Sequence, residues 1–320
     1  MRALTFSRFG GPEVLEYTEV PDPTAPAGGV VVRTLAIGLN FADVYRRRGN
    51  YHLAGAPPYI AGYEAAGRIE SVGEGAAWAK GDRVGFGDSP FANAELVAVA
   101  EDRLIPLPAD ISDEVAAAVL LQGLTAQYLV HDSHRVTSGQ NVVVHAAGGG
   151  VGLLLVQLAR LLGARVLGLT SSRAKAEAAE QAGASQVALY DSDWVKAARR
   201  FGGGAGVDVV YDSVGSTLQR SLDATRIGGR VVFFGMAGGE PPPIDARYLM
   251  DNSKSITGGD LWNVLISAEE RRRRAAELFS WIRSGSLAVT IAARIPLAEG
   301  ARAHALLEQR GVVGKIVLLP

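Results

Sequence analysis

Residues 141–163 read NVVVHAAGGGVGLLLVQLARLLG, and this stretch decides the fold. The β-branched run Val142–Val144 suits a buried strand. It meets the glycines Gly148, Gly149, Gly150 and Gly152, which lead into a long apolar segment of helical character. A buried strand that turns on glycines into a helix gathers unpaired backbone N–H groups at a helix N-terminus, a ready seat for a pyrophosphate. Such a turn also occurs with no ligand, so the reading rests on what surrounds it.

Downstream, strands and helices alternate. Arg165–Thr170, Gln186–Tyr190, Gly206–Asp212 and Arg230–Gly235 read as strands, with helices at Arg173–Ala182, Trp194–Phe201 and Thr217–Thr225 between them. This order predicts a parallel, doubly wound sheet. After Pro241–Pro243 the alternation is expected to stop. Ala268–Ser284 reads as an amphipathic helix on which Arg271–Arg274 form a solvated face. Upstream, residues 1–110 carry short β-rich runs broken by Gly, Pro and Asp, the texture of a compact barrel. Ser112 caps a long alanine- and leucine-rich helix, expected to break near Gly123. Residues 297–320 return to a helix and a strand, Lys315–Leu319, of the N-terminal texture. The fold is therefore read as α/β with two domains. One is a discontinuous barrel, 1–122 and 261–320; the other is the doubly wound sheet, 123–260.

Composition narrows the function. Lys and Arg number 32 against 33 Asp and Glu, a net charge of −1, so nothing draws the chain generally to nucleic acid or an anionic membrane. Apolar runs stop well short of the roughly 20 residues of a membrane span. The N-terminus lacks an apolar signal core, and a cytoplasmic location is expected. There is no cysteine, which excludes disulfides and thiolate metal sites. His52, His131, His134, His145 and His304 show no ligand spacing beyond the pair His131/His134, read as helix-end residues. No metal is expected.

An NAD site needs an acid at the end of the second strand, to hold the ribose 2′-hydroxyl. Here the sequence runs Thr170, Ser171, Ser172, Arg173, Ala174, Lys175. Hydroxyls followed by two cations suit a 2′-phosphate, which a carboxylate would repel. A plain serine cap accounts for the serines but not for the missing acid, so the expected cofactor is NADPH.

Several segments together carry a resemblance: IGLNFADVYRRRGNY (Ile37–Tyr51), AGYEAAGRIESVGEG (Ala61–Gly75), KGDRV (Lys80–Val84), LLQGLTAQYL (Leu120–Leu129), VVVHAAGGGVG (Val142–Gly152), VVYDSVG (Val209–Gly215) and GKIVLLP (Gly314–Pro320). The chain resembles the quinone oxidoreductases of the zeta-crystallin-like, zinc-free branch of the medium-chain dehydrogenase/reductase superfamily. The resemblance implies a GroES-like barrel made by both chain ends and a Rossmann cofactor domain. Zinc relatives carry Gly-His-Glu where this chain has Gly62–Tyr63–Glu64.

The resemblance also implies residue roles. Asn40 and Tyr45 are expected beside the nicotinamide and Tyr51 at the pocket mouth, with the Asn40 amide or a tyrosine hydroxyl donating to a substrate oxygen. Asp43 either joins this pocket or pairs with an arginine of Arg46–Arg48. Gly149, Gly150 and Val151 match pyrophosphate contacts; Ser172, Lys175 and Tyr190 match positions near the 2′-phosphate. Thr125 lies near the nicotinamide, Gly235–Met236–Ala237 beneath its ribose, and Arg310 or Lys315 either reaches a phosphate or forms a surface ion pair. The rim residues Asn50 and 52–56 depart from the family pattern, which leaves the substrate open. Hydride transfer from NADPH to a quinone, without metal or flavin, is expected. The alternatives are a 2-alkenal or enoyl-thioester reductase, or an NADPH-binding crystallin-like or RNA-associated protein with little turnover. A homodimer joined through Rossmann edge strands near Pro241–Thr257 is also implied.

Overall fold

A computed structural model describes residues 1–52 and 55–320. Leu53 and Ala54, within the expected rim stretch, lie outside the described residues. The chain divides into two compact units: residues 1–124, 261–283 and 289–320, and residues 125–260 with 284–288. The segment 284–288, expected in the barrel, belongs with the second unit. There the Gln157 amide holds Ala288 from both sides, donating to its carbonyl at 3.1 Å and accepting its N–H at 2.7 Å.

The second unit is a six-stranded sheet in the order Gln186–Leu189, Arg165–Thr170, Asn141–Val144, Val207–Asp212, Thr225–Phe233, Ser255–Gly258, every neighbouring pair parallel. In chain order this is 3-2-1-4-5-6, with the reversal between Asn141–Val144 and Val207–Asp212. Ligands bind at such a reversal, at the carboxyl ends of the strands. Val142, Val143 and Val144 are fully buried, as a strand covered on both faces requires. Alternation does not stop at the prolines. A short helix, Ala246–Asp251, leads to the edge strand Ser255–Gly258, whose weak pattern of four residues hid it.

The first unit holds a seven-stranded sheet in the order Ile291–Pro296, Lys315–Leu319, Gly29–Leu39, Glu64–Val72, Arg83–Phe86, Ile105–Pro106, with Leu96–Ala100 also pairing Gly29–Leu39. A three-stranded sheet adds Glu16–Glu19, Arg2–Phe6 and Tyr59–Ile60. The C-terminal strand pairs antiparallel with Gly29–Leu39, Ile316 opposite Leu39 and Leu318 opposite Ile37, which carries Lys315 to the foot of the helix Phe41–Arg47.

The helix Asp113–Tyr128 runs through Gly123 without a break. The glycine serves close packing: a Cβ there would lie 2.7 Å from Leu278 Cδ2 of the helix Ala268–Arg283. On that second helix, the arginine run is a solvated face only in part: Arg273 is exposed, and the others are not. Arg271 is buried and binds Asp88 at 2.7 Å, Arg272 donates to the Leu104 carbonyl at 3.1 Å, and Arg273 and Arg274 both hold Glu270. The two guanidinium groups keep the Glu270 carboxyl down at about 2. Arg271 and Arg272 dock the helix, while the Glu270 pairs lie along it.

Candidate active site

The first unit brings together Asn40, Asp43, Glu64 and Lys315. All four are buried. Lys315 Nζ lies 2.6 Å from both Asn40 Oδ1 and Glu64 Oε2. Asn40 Nδ2 donates to Glu64 Oε2 at 2.8 Å and to the Gly38 carbonyl at 3.0 Å, and Glu64 Oε1 accepts the Leu121 N–H at 2.6 Å. Gly38 is required here, because a Cβ would stand 2.2 Å from Glu64 Oε2 and 2.1 Å from the Ala117 carbonyl oxygen. Asp43 accepts from the Asn40 backbone N–H at 2.7 Å, capping the helix Phe41–Arg47. Burial pushes the Asp43 carboxyl up to about 7 and the Lys315 ammonium down, although Glu64 beside the lysine opposes its shift.

Two expectations change. Asn40 has both amide hydrogens committed inside the protein, so it positions this cluster; a donated bond to substrate would cost one of these. Lys315 is 2 % exposed and neutralises Glu64, so it does not extend to a phosphate. Of the two C-terminal cations, only Arg310 is exposed, in a left-handed conformation after the helix Gly300–Glu308.

Above this cluster in the sequence, an aromatic group forms. The Tyr45 and Tyr51 rings meet edge to face at 5.8 Å, Tyr51 meets Tyr63 at 6.1 Å, and Tyr63 meets Trp262 at 5.2 Å. Trp262 Nε1 donates to the Tyr51 hydroxyl at 2.8 Å, fixing that ring. The Arg46 guanidinium lies 5.6 Å from the Tyr63 ring and 5.3 Å from the Phe91 ring. Burial pushes the Tyr63 phenol up to about 12, so it stays protonated, donating to the His52 carbonyl at 3.0 Å. Trp262 was not singled out from sequence, and Tyr63 only as the residue where zinc relatives carry histidine. Trp262 lies on the one-turn helix Leu261–Asn263, too short to carry a period.

In the second unit, Gly149 caps the helix Gly150–Leu161. Gly149 N–H donates to the Ala146 carbonyl at 2.8 Å, closing the turn. A Cβ on Gly148 would lie 2.7 Å from Lys175 Cβ, and one on Gly152 2.2 Å from the Ala146 carbonyl oxygen. The glycines thus let the turn sit tightly against both the helix and Lys175. Ser172 caps the helix Arg173–Gln181, accepting from Lys175 N. Val151 is half-buried at the first turn, and Thr125 is buried near the end of its own helix. Gly235, Met236 and Ala237 are half-buried; Ala237 N–H donates to the Ser213 carbonyl at 3.0 Å, tying this turn to the end of Val207–Asp212. Tyr190 faces the glycine turn, its hydroxyl accepting the Ala146 N–H at 2.8 Å.

Residues 26–141 match the alcohol dehydrogenase GroES-like domain, and residues 150–281 match the zinc-binding dehydrogenase family. The chain is 40 % identical to the quinone oxidoreductase of Pseudomonas aeruginosa, covering 100 % of this chain and 99 % of that one. The chain belongs to the quinone oxidoreductase family. It is 38 % identical to the 2-haloacrylate reductase of a Burkholderia species, over 99 % of this chain and 98 % of that one. The structure of Escherichia coli quinone oxidoreductase complexed with NADPH superposes with a TM-score of 0.96, at 38 % identity and with all of both chains covered. This family sits within the medium-chain dehydrogenases/reductases, and the GroES-like and Rossmann units are its fold.

The zinc in one family description does not fit these residues. The chain has no cysteine, and among the described residues no group of three or more His, Cys, Asp or Glu could hold a metal ion. Glu64, the carboxylate of the buried cluster, already has a counter-ion in Lys315.

Proposed function

We propose that this protein is an NADPH-dependent quinone oxidoreductase that works without metal or flavin. The observation that carries this reading is the end of the strand Arg165–Thr170. Where a carboxylate would select NADH, the chain places the Ser172 cap and Lys175, packed against the glycine turn at Gly148. A 2′-phosphate suits that pair, and a relative 38 % identical is known in complex with NADPH.

NADPH, when bound, supplies the hydride. The Gly150 and Val151 N–H groups at the start of their helix would hold the pyrophosphate, with Gly149 closing the turn beneath it, and Ser172 and Lys175 would hold the 2′-phosphate. Thr125 and the Gly235–Met236–Ala237 turn would hold the nicotinamide end. In the first unit, Tyr45, Tyr51 and Trp262, backed by the buried Tyr63, offer flat apolar surfaces for a planar acceptor. Tyr51, polarised by the hydrogen bond from Trp262, donates to the acceptor oxygen as negative charge develops. Asn40 and Asp43 fix the start of the helix that carries Tyr45. Lys175→Glu should weaken NADPH far more than NADH; equal effects on both would remove the 2′-phosphate assignment.

Activated alkenes form the second acceptor class, favoured by the likeness to a 2-haloacrylate reductase. A quinone and an enone share the conjugated carbonyl that accepts hydride, so one aromatic surface serves both. A binding protein with little turnover would show NADPH affinity and no reduction of either class. The near-zero charge and the docked arginines of Ala268–Arg283 count against nucleic acid as a partner. Among the described residues, no helix is long and apolar enough to cross a membrane. The absence of cysteine suits a reducing cytoplasm. A homodimer through the edge strand Ser255–Gly258 is supported by the 70 % exposed Met250 on the helix before it; light scattering that shows only monomer at high concentration would refute it.

A further inference from the structure

A buried line of polar groups runs beneath the glycine turn, and the hydride reaction leaves it without a role. It begins at Asp212, the last residue of Val207–Asp212. Its carboxylate accepts the Val214 and Gly215 N–H groups at 2.8 and 3.1 Å, and the Thr217 and Ser221 hydroxyls at 2.8 and 2.6 Å. Four donors match the capacity of an ionised carboxylate. Ser221 has then given away its one hydrogen. Where its oxygen meets His145 Nε2 at 3.0 Å, the imidazole must be the donor. Burial pushes the His145 imidazole down, so the ring is neutral and Nδ1 carries a lone pair. The Tyr190 hydroxyl, 3.1 Å from Nδ1, therefore donates to it and turns its own lone pair to the Ala146 N–H at 2.8 Å. Every bond in the line has one direction.

Its far end is a strained residue. Ala146 has φ +48°, a left-handed conformation that an L-residue adopts only at an energetic cost. Its carbonyl accepts from Gly149 and lies hard against Gly152, so the shape of the whole glycine turn depends on it. The two strands that the line joins, Asn141–Val144 and Val207–Asp212, are the neighbours at which the sheet order reverses.

We propose that Asp212, Ser221 and His145 form a positioning relay that orients the Tyr190 hydroxyl, and that Tyr190 thereby clamps Ala146 in the left-handed conformation the dinucleotide turn requires. The inference rests on the cofactor reading and changes the work of Tyr190. A residue that contacts the 2′-phosphate serves NADPH alone. A residue that shapes the pyrophosphate turn serves NADPH and NADH alike, because both carry the pyrophosphate.

The test titrates both dinucleotides calorimetrically into wild type, Tyr190→Phe, Ser221→Ala, Ala146→Gly and the Tyr190→Phe/Ala146→Gly double variant. Tyr190→Phe should weaken both cofactors by about tenfold, and Ser221→Ala should weaken both by a smaller factor. Adding Ala146→Gly to Tyr190→Phe should recover at least half of the loss on a logarithmic scale, because glycine adopts positive φ without a clamp. A loss confined to NADPH, or no recovery with glycine, overturns the proposal. Two readouts need no cofactor. Nitrogen-15 spectra of the free protein should show His145 protonated at Nε2, and the Ala146 amide should exchange faster in Tyr190→Phe. The opposite tautomer or unchanged exchange overturns the relay. A wild type that binds neither dinucleotide sinks the cofactor reading instead, and these two readouts still decide the relay.

Discussion

Replacing Lys315 with methionine isolates the buried charge cluster of the first unit. Methionine keeps most of the volume and removes the ammonium that lies 2.6 Å from Glu64 Oε2 and from Asn40 Oδ1, in a site where the two charged side chains are 2 % and 0 % exposed. Stripping one partner from a buried ion pair costs about 3–5 kcal/mol. The Asn40 carbonyl also loses a donor, worth about 1 kcal/mol. Urea unfolding followed by tryptophan fluorescence should therefore show Lys315→Met destabilised by about 4–6 kcal/mol. Adding Glu64→Gln, which removes the stranded charge, should restore at least half of the loss. A loss below about 1 kcal/mol, or no recovery with Glu64→Gln, would refute the reasoning.

Asp43→Asn should reveal a pH-dependent term. The folded carboxyl sits at about 7, above its ordinary 3.8, so Asp43 contributes its full stability below pH 3.8 and loses it as pH rises through about 7. Wild type should lose stability relative to the variant between pH 4 and 7; a constant difference across that window would show that Asp43 does not titrate there. Gly148→Ala presses a Cβ to 2.7 Å from Lys175 Cβ, and should cost about 1–3 kcal/mol in thermal unfolding while weakening NADPH. Unchanged stability and affinity would mean that the turn and Lys175 are not in close register.

The two units differed in how much the sequence disclosed. The doubly wound sheet was legible because its signals are local: a β-branched strand, glycines at the turn and a helix follow one another within Asn141–Leu161. The missing acid after Thr170 was equally local. The edge strand Ser255–Gly258 was not, since four residues carry no period. The Asn40–Glu64–Lys315 cluster joins groups 275 and 251 residues apart, and only strand register brings them together. The sequence therefore leaves Lys315 between a phosphate and a surface ion pair, and sets Asn40 beside the nicotinamide and substrate. Trp262 reached the aromatic group by the same long-range route. Arg271–Arg274 misled for another reason: four consecutive cations look solvated, yet Asp88 and backbone carbonyls of neighbouring segments accept Arg271 and Arg272, and only Arg273 stays exposed, paired with Arg274 to Glu270 of the same helix.

The most direct test mixes purified protein with NADPH or NADH and follows nicotinamide absorbance as 1,4-naphthoquinone, an alkenal or 2-chloroacrylate is added. NADPH oxidation dependent on the quinone, with NADH much less effective and added chelator without influence, is the predicted result. Tight NADPH binding with no oxidation by any acceptor would contradict it.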